Sequence, residues 1–257
     1  MFFNIVLGSL IPFIGTSLGA FAVFFLKKGS SDSLAQSLNG FASGVMIACS
    51  VWSLLIPSIE LSSKMGSLSF IPASLGFLLG ILSLWALDKV VSKTRISALG
   101  GKGFWKLGAS TMLFLAVTIH NIPEGVAVGV GFSSYLGGAG SFSSALALAV
   151  GIAIQNIPEG AILSAPIGVQ NGRGHGFLFG ALSGVVEPIF ALITVLLSGF
   201  FVPIFPYLLA FASGAMIFVT VTELIPESFN GEKGFSLSLF AFALGFVIMM
   251  ALDVALG

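Results

Sequence analysis

His120-Asn121-Ile122-Pro123-Glu124-Gly125 and Gln155-Asn156-Ile157-Pro158-Glu159-Gly160 are two versions of one hexapeptide, each set inside a long apolar stretch. Four residues separate His120 from Glu124, and Gln155 from Glu159, so each pair projects from one face of its helix. Counting inward about 13 residues at roughly 1.5 Å each places both motifs near the centre of a bilayer. Each proline removes a backbone hydrogen bond and clashes with the carbonyl four residues back, which predicts kinks that free the carbonyls of Ile119 and Ile154 to line a cavity.

The rest of the chain explains why a bilayer is the right frame. Its 257 residues are 56% apolar and only 8% charged, with 33 glycines, and the mean hydropathy is +1.10. A water-soluble domain carries about a quarter charged residues, so this surface is built for lipid. Ordinary soluble catalysis and nucleic-acid binding are excluded. Ten basic and ten acidic residues cancel, leaving no net charge to attract a polyanion.

At about 20 residues per span, the apolar runs 3–26, 35–59, 68–88, 107–132, 143–169, 177–200, 203–226 and 236–256 predict eight transmembrane helices in a single domain, 1–257. The first run has no basic residue ahead of it and is followed by Lys27 and Lys28, so it reads as a retained span, not a signal peptide. The single cysteine, Cys49, lies inside the second run, forms no intrachain disulfide and reads as a small buried hydrophobe.

Basic residues divide by side. Lys27, Lys28, Lys89, Lys93, Arg95, Lys102, Lys106, Arg173 and Lys233 fall in odd-numbered loops, and only Lys64 falls on the opposite side. The positive-inside rule then puts the odd-numbered loops in the cytoplasm and both termini outside a cell membrane crossed many times.

Three pairs of segments repeat. Beside the two hexapeptides of spans 4 and 5, Phe41-Ala42-Ser43-Gly44-Val45-Met46-Ile47 in span 2 returns as Phe211-Ala212-Ser213-Gly214-Ala215-Met216-Ile217 in span 7. Phe77, Leu79, Gly80 and Ala86-Leu87-Asp88 in span 3 return as Phe242, Leu244, Gly245 and Ala251-Leu252-Asp253 in span 8. Each pair joins an even-numbered span to an odd-numbered one, so partners run in opposite directions. By elimination span 1 pairs with span 6. An inverted repeat with an axis in the membrane plane is a transporter signature, with substrate bound near the midplane.

An ionised carboxylate at that depth costs about 2.5–3.5 kcal/mol on insertion scales. No lysine or arginine is expected beside Glu124 or Glu159, so the countercharge has to come from bound metal cations or protons. Glu187, followed by Pro188, adds a third buried carboxylate with its own kink, and Met46 adds a thioether. With His120, Asn121, Gln155 and Asn156 these make a mixed N/O/S set suited to zinc and other late first-row divalent ions. Magnesium favours oxygen and retained water, for which His120 and Met46 are out of place. Glu124 and Glu159 are placed to bridge two ions.

The paired motifs resemble those of the ZIP family (Zrt/Irt-like proteins) of divalent-metal transporters, in its short prokaryotic branch, and the resemblance spans nearly the whole chain. It implies an eight-helix 3+2+3 bundle moving zinc, with cadmium, iron or manganese as further substrates, into the cytoplasm. It further implies one ion held by Met46, His120, Glu124, Gln155 and Glu159, and a second by Asn121, Glu124, Asn156, Glu159 and Glu187. Some relatives have histidine or aspartate in place of Gln155 or Asn156, so the second site here carries less charge. Thr222-Glu223 stands where many have His-Glu, and the long histidine-rich cytoplasmic loop of many eukaryotic members is absent.

The remaining polar residues divide between two ends. Ser53, Glu60 and Asp253 fall toward the outer face as an entrance, and Asp88, Glu223 and Glu227 toward the inner face as an exit. Two other readings stay open: a membrane-embedded di-metal hydrolase, in which the metal pair activates water, and a proton or cation channel. The chain lacks a His-Glu-x-x-His zinc motif, and two-sided access suits a transporter better than an enzyme. Homodimerisation is compatible with the sequence, in which no helix face marks an interface.

Overall fold

A computed structural model describes residues 2–25, 32–100, 109–138, 140–201, 204–230 and 234–256. Inside hydrocarbon every backbone N–H and C=O has to be satisfied within its own segment, so an apolar chain of this kind folds as helix. Among the described residues no strand occurs.

Eight rods follow in order. The first is α1 (Phe2–Phe21), closed by a 3-10 turn, and the second is α2 (Asp32–Cys49), a π-helical turn (Ser50–Leu55) and α3 (Ile56–Leu61). Then come α4 (Phe70–Gly100), α5 (Ala109–Leu136) and α6 (Phe142–Asn171) as rods three to five. The sixth is α7 (Arg173–Ser183) with α8 (Val186–Phe201), the seventh α9 (Phe205–Val219), a π-helical turn (Thr220–Leu224) and α10 (Ile225–Ser228), and the eighth α11 (Phe235–Leu256). Among the described residues six stretches are long and apolar enough to cross a membrane: Phe3–Phe24, Ser33–Leu61, Phe142–Asn171, Arg173–Leu197, Phe205–Ser228 and Phe235–Ala255. Phe70–Ala86 is a shorter apolar helix, and α5 has 28 residues. Large apolar side chains such as Phe3, Leu196, Phe240 and Val254 point outward, as a lipid-facing surface requires. The chain is an all-α membrane protein.

Local departures have local causes. The third rod passes residue 88 and runs to Gly100, because no proline or glycine interrupts 89–99; Lys89, Lys93 and Arg95 therefore ride on helix instead of loop. Lys89 sits 5.8 Å from the Trp85 ring centroid, a pairing suited to a membrane edge. The sixth rod breaks at Gly184, where Pro188 leaves the Gly184 carbonyl without its helical donor and the Glu187 N–H donates to it instead, at 3.1 Å. By contrast, α5 and α6 stay helical through Pro123 and Pro158. In both π-helical turns the N–H of an isoleucine reaches back five residues, Ile56 to Val51 and Ile225 to Thr220, directly before Pro57 and Pro226.

Rod packing follows the inverted repeat. Rod 2 packs on rod 8 and rod 3 on rod 7; rod 1 packs on rod 5 and rod 4 on rod 6, and rods 4 and 5 adjoin. Exchanging 1 with 6, 2 with 7, 3 with 8 and 4 with 5 turns each of these four contacts into another of the set. The correspondence extends to single residues. Gly44 lies against the Phe242 carbonyl as Gly214 lies against that of Phe77, and Gly245 meets Phe41 as Gly80 meets Phe211. Small residues at these crossings let backbones touch, which is how helices associate where apolar burial gives no drive.

A Cβ on Gly44 would collide with the Phe242 carbonyl oxygen, whereas one on Gly174 would meet nothing within 4 Å. Gly44→Ala should therefore lower stability by about 1–3 kcal/mol and Gly174→Ala should not, as read by thermal unfolding in detergent. Equal midpoints for the two variants would contradict this packing.

Candidate metal centre

The middle of the bundle gathers polar side chains from four rods. α5 supplies Asn121 and Glu124, α6 supplies Gln155, Asn156 and Glu159, α8 supplies Glu187, and α2 supplies Met46. All but Glu159 are at most 3% exposed; Glu159 is half-buried because it borders a cavity.

Their hydrogen bonds orient these groups without exhausting them. Gln155 Nε2 donates to Glu124 Oε1 at 2.6 Å, Asn121 Nδ2 to the Ser183 carbonyl at 3.1 Å, and Thr16 Oγ1 to Glu187 Oε1 at 2.7 Å. Thr220 Oγ1 stands 3.6 Å from Met46 Sδ. Asn156 lies beside both Glu124 and Glu187. Five oxygens are left buried with no hydrogen-bond donor: Asn121 Oδ1, Glu124 Oε2, Gln155 Oε1, Asn156 Oδ1 and Glu187 Oε2. A buried polar atom without a partner costs about 1–3 kcal/mol. These five oxygens all have lone pairs to give to a cation, while Asn156 Nδ2, likewise without a partner, is the one N–H donor among the unsatisfied atoms of the centre and lies beside the Glu124 and Glu187 carboxylates.

The carboxylates also sense one another. Glu124 lies in the field of Glu159 and Glu187, Glu187 in that of Glu159, and Glu159 in that of Glu223. Among the described residues no lysine or arginine stands in that company. Nor, among them, do three His, Cys, Asp or Glu side chains converge closely enough to hold an ion by themselves. Chelation here has to draw on amide oxygens, on the thioether, or on His120. Helix α5 carries His120 and α4 carries Asp88, but both side chains lie outside the described residues.

Polar residues beyond the centre fall at the two ends of rod 2. Asn39, near its start, donates to Glu227 Oε2 at 3.1 Å. These two line a cavity of about 80 Å³ together with Glu223, Met46 and Glu159, so this opening reaches the centre. Ser53, further along, donates to Asp253 Oδ1 at 2.6 Å. Ser53 and Glu60 line two cavities of about 280 and 270 Å³, the second of which includes Asp253. On rod 2 between Met46 and Ser53 stands Cys49, fully buried, in one core cluster with Val45, Phe132, Leu148 and Ile152. Cys49 lies in the fields of both Glu124 and Asp253. The cavity at the Glu227 end is thus lined by residues of the centre, and the two at the Glu60 end are not. Thr222 turns its hydroxyl back to the Phe218 carbonyl, at 2.7 Å, and is exposed.

Sequence reasoning missed Thr16, Ser183 and Thr220 as partners of the central groups. Thr16 shares its 20-residue helix with the hydroxyls of Ser9 and Ser17, so nothing in the sequence singled it out; nor does anything in the sequence mark a backbone carbonyl such as that of Ser183 as an acceptor.

The chain is similar to known proteins along most of its length. The profile of the family described as ZIP Zinc transporter matches residues 106–253. The zinc transporter ZIP11 of Xenopus tropicalis is 34% identical over 98% of this chain and 96% of its own length. The zinc transporter GufA of Myxococcus xanthus is 33% identical over 97% of each chain. The zinc transporter ZIPB of Bordetella bronchiseptica is 33% identical over 98% of this chain and 81% of its own.

A ligand that binds only the folded state at a hundred times its dissociation constant stabilises by about 2.7 kcal/mol. Zinc should accordingly raise the thermal midpoint of the purified protein, and Glu124→Gln should remove most of the rise. An undiminished rise in the variant would place the ion elsewhere.

Proposed function

The chain belongs to the ZIP zinc transporter family, and from that membership we propose that it carries zinc and related divalent ions into the cytoplasm through a centre between α5 and α6. The observation that carries this reading is the set of five buried oxygens without hydrogen donors, all from residues of the two repeated motifs and Glu187. One ion takes Met46, His120, Glu124, Gln155 and Glu159; a second takes Asn121, Glu124, Asn156, Glu159 and Glu187. The shared carboxylates let an arriving ion loosen the one ahead of it.

Orientation rests on the charged loops. Nine of the ten basic residues lie on the side to which the Glu227 end belongs, which makes that end cytoplasmic and both termini extracytoplasmic in a cell membrane. Ions enter past Ser53, Glu60 and Asp253, cross the apolar layer around Cys49 when it opens, rest at the centre, and leave past Glu223, Glu227 and Asp88. Closure at one end with opening at the other is the alternation that an inverted repeat supports, each half exchanging the conformation of its counterpart. The donor set favours zinc over magnesium because imidazole and thioether suit a softer ion. Protons compete with metal for the same carboxylates, so a pH gradient affects the rate.

Liposomes loaded only with a zinc-sensitive dye provide the test. Uptake should saturate with external zinc and fall at least tenfold in Glu124→Gln and Glu159→Gln, since each removes a ligand from both ions. Unchanged uptake in both variants would overturn the site. Uptake that rises without saturation and follows voltage would favour a channel, and absence of flux with turnover of an added organic substrate would favour a hydrolase.

A further inference from the structure

Rod 1 carries no residue of the proposed metal sets, yet it makes one of the few side-chain hydrogen bonds in the centre. Thr16 is 1% exposed and Glu187 is fully buried. The Thr16 hydroxyl has one proton and stands 2.7 Å from Glu187 Oε1 and 3.3 Å from the Pro12 carbonyl oxygen. The shorter contact to a carboxylate is the stronger hydrogen bond. It occupies Oε1 and leaves Oε2 among the five oxygens without a donor. One oxygen of Glu187 is therefore anchored to α1 and the other is left for a ligand.

The position of Thr16 in the repeat makes this contact more than incidental. Gly125 packs against the backbone of Glu187, and its counterpart Gly160 packs against the backbone of Thr16. Because Gly125 and Gly160 close the two hexapeptides, Glu187 and Thr16 occupy equivalent places in the two halves. The hydrogen bond thus joins symmetry mates across the pseudo-two-fold axis. Gly184 keeps the approach open: a Cβ there would come within 2.8 Å of Thr16 Cβ and 3.0 Å of Glu187 Oε1.

We propose that Thr16 is a positioning residue of the metal centre, whose hydroxyl fixes the Glu187 carboxylate so that its second oxygen faces the ion. The proposal rests on Glu187 being a ligand, as in the function proposed above. A carboxylate at the end of a flexible side chain has several rotamers, and an anchored oxygen removes most of them before the ion arrives. Partners that orient metal ligands in this way are typically worth about 10–100-fold in metal affinity.

Zinc-uptake kinetics in liposomes test this with Thr16→Val, Thr16→Ser, Glu187→Gln and the double variant Thr16→Val/Glu187→Gln. Val keeps the shape and removes the proton; Ser keeps the proton. The expected result is an approximately tenfold higher KM for zinc in Thr16→Val with a maximal rate within about twofold, near-normal KM in Thr16→Ser, and no additional effect of Thr16→Val once Glu187 is Gln. Thr16→Ala repeats the comparison if the Val variant does not assemble. A normal KM in Thr16→Val beside a raised one in Glu187→Gln would overturn the proposal and leave the metal centre standing. Equal impairment in Thr16→Val and Thr16→Ser would assign the effect to packing and overturn it as well. A normal KM in Glu187→Gln would remove Glu187 from the centre and this role of Thr16 with it.

Discussion

Negative charge in hydrocarbon is the constraint around which this molecule is organised. Glu124 and Glu187 are buried as completely as the leucines around them, in a medium where an ionised carboxylate is costly. Ion pairing with lysine or arginine would remove the penalty permanently, and among the described residues neither is found beside these acids. Amide donors from Gln155 and a hydroxyl from Thr16 satisfy one oxygen of each. The other oxygens remain open. A fixed cation would make a stable core, whereas buried acids without one are the mark of an ion pathway.

The inverted repeat explains how the same scaffold faces two ways. Backbone crossings obey the symmetry down to single glycine-to-carbonyl contacts, as with Gly44 on Phe242 and Gly214 on Phe77. Chemistry does not obey it. Glu187 faces Thr16, His120 corresponds to Gln155, and Ser53 on one rod corresponds to Glu223 on its mate. A symmetric frame allows two related conformations, while unequal side chains give the two ends and the middle different donor sets. The family to which the chain belongs is one of zinc transporters, and this division of labour suits transport better than an enzyme's one-sided pocket does.

Much of this was legible in the sequence because the signals are large in energy. Long apolar runs, acids within them and glycines at repeated spacing each reflect penalties of several kcal/mol. They pointed to the rods, the hexapeptides on adjoining helices, and the grouping of Ser53, Glu60 and Asp253 toward one end. Features set by a single hydrogen bond were not legible. The π-helical turns at Ser50–Leu55 and Thr220–Leu224 depend on where one N–H finds a carbonyl ahead of Pro57 and Pro226. The extension of α4 through 89–100 reflects the mere absence of a breaker. Thr16 remained without a role because a hydroxyl in an apolar span usually bonds its own backbone, as Ser9 does to the Ile5 carbonyl.

The central claim is that the acids of the midplane hold a dication. Anomalous diffraction at the zinc edge, on crystals of zinc-loaded protein, tests it most directly. The account predicts the strongest anomalous peak between Glu124 and Glu159, with ligand oxygens or nitrogens at about 2.0–2.2 Å. A midplane without anomalous signal, its carboxylates neutralised by a lysine or arginine side chain or turned toward lipid, would contradict it.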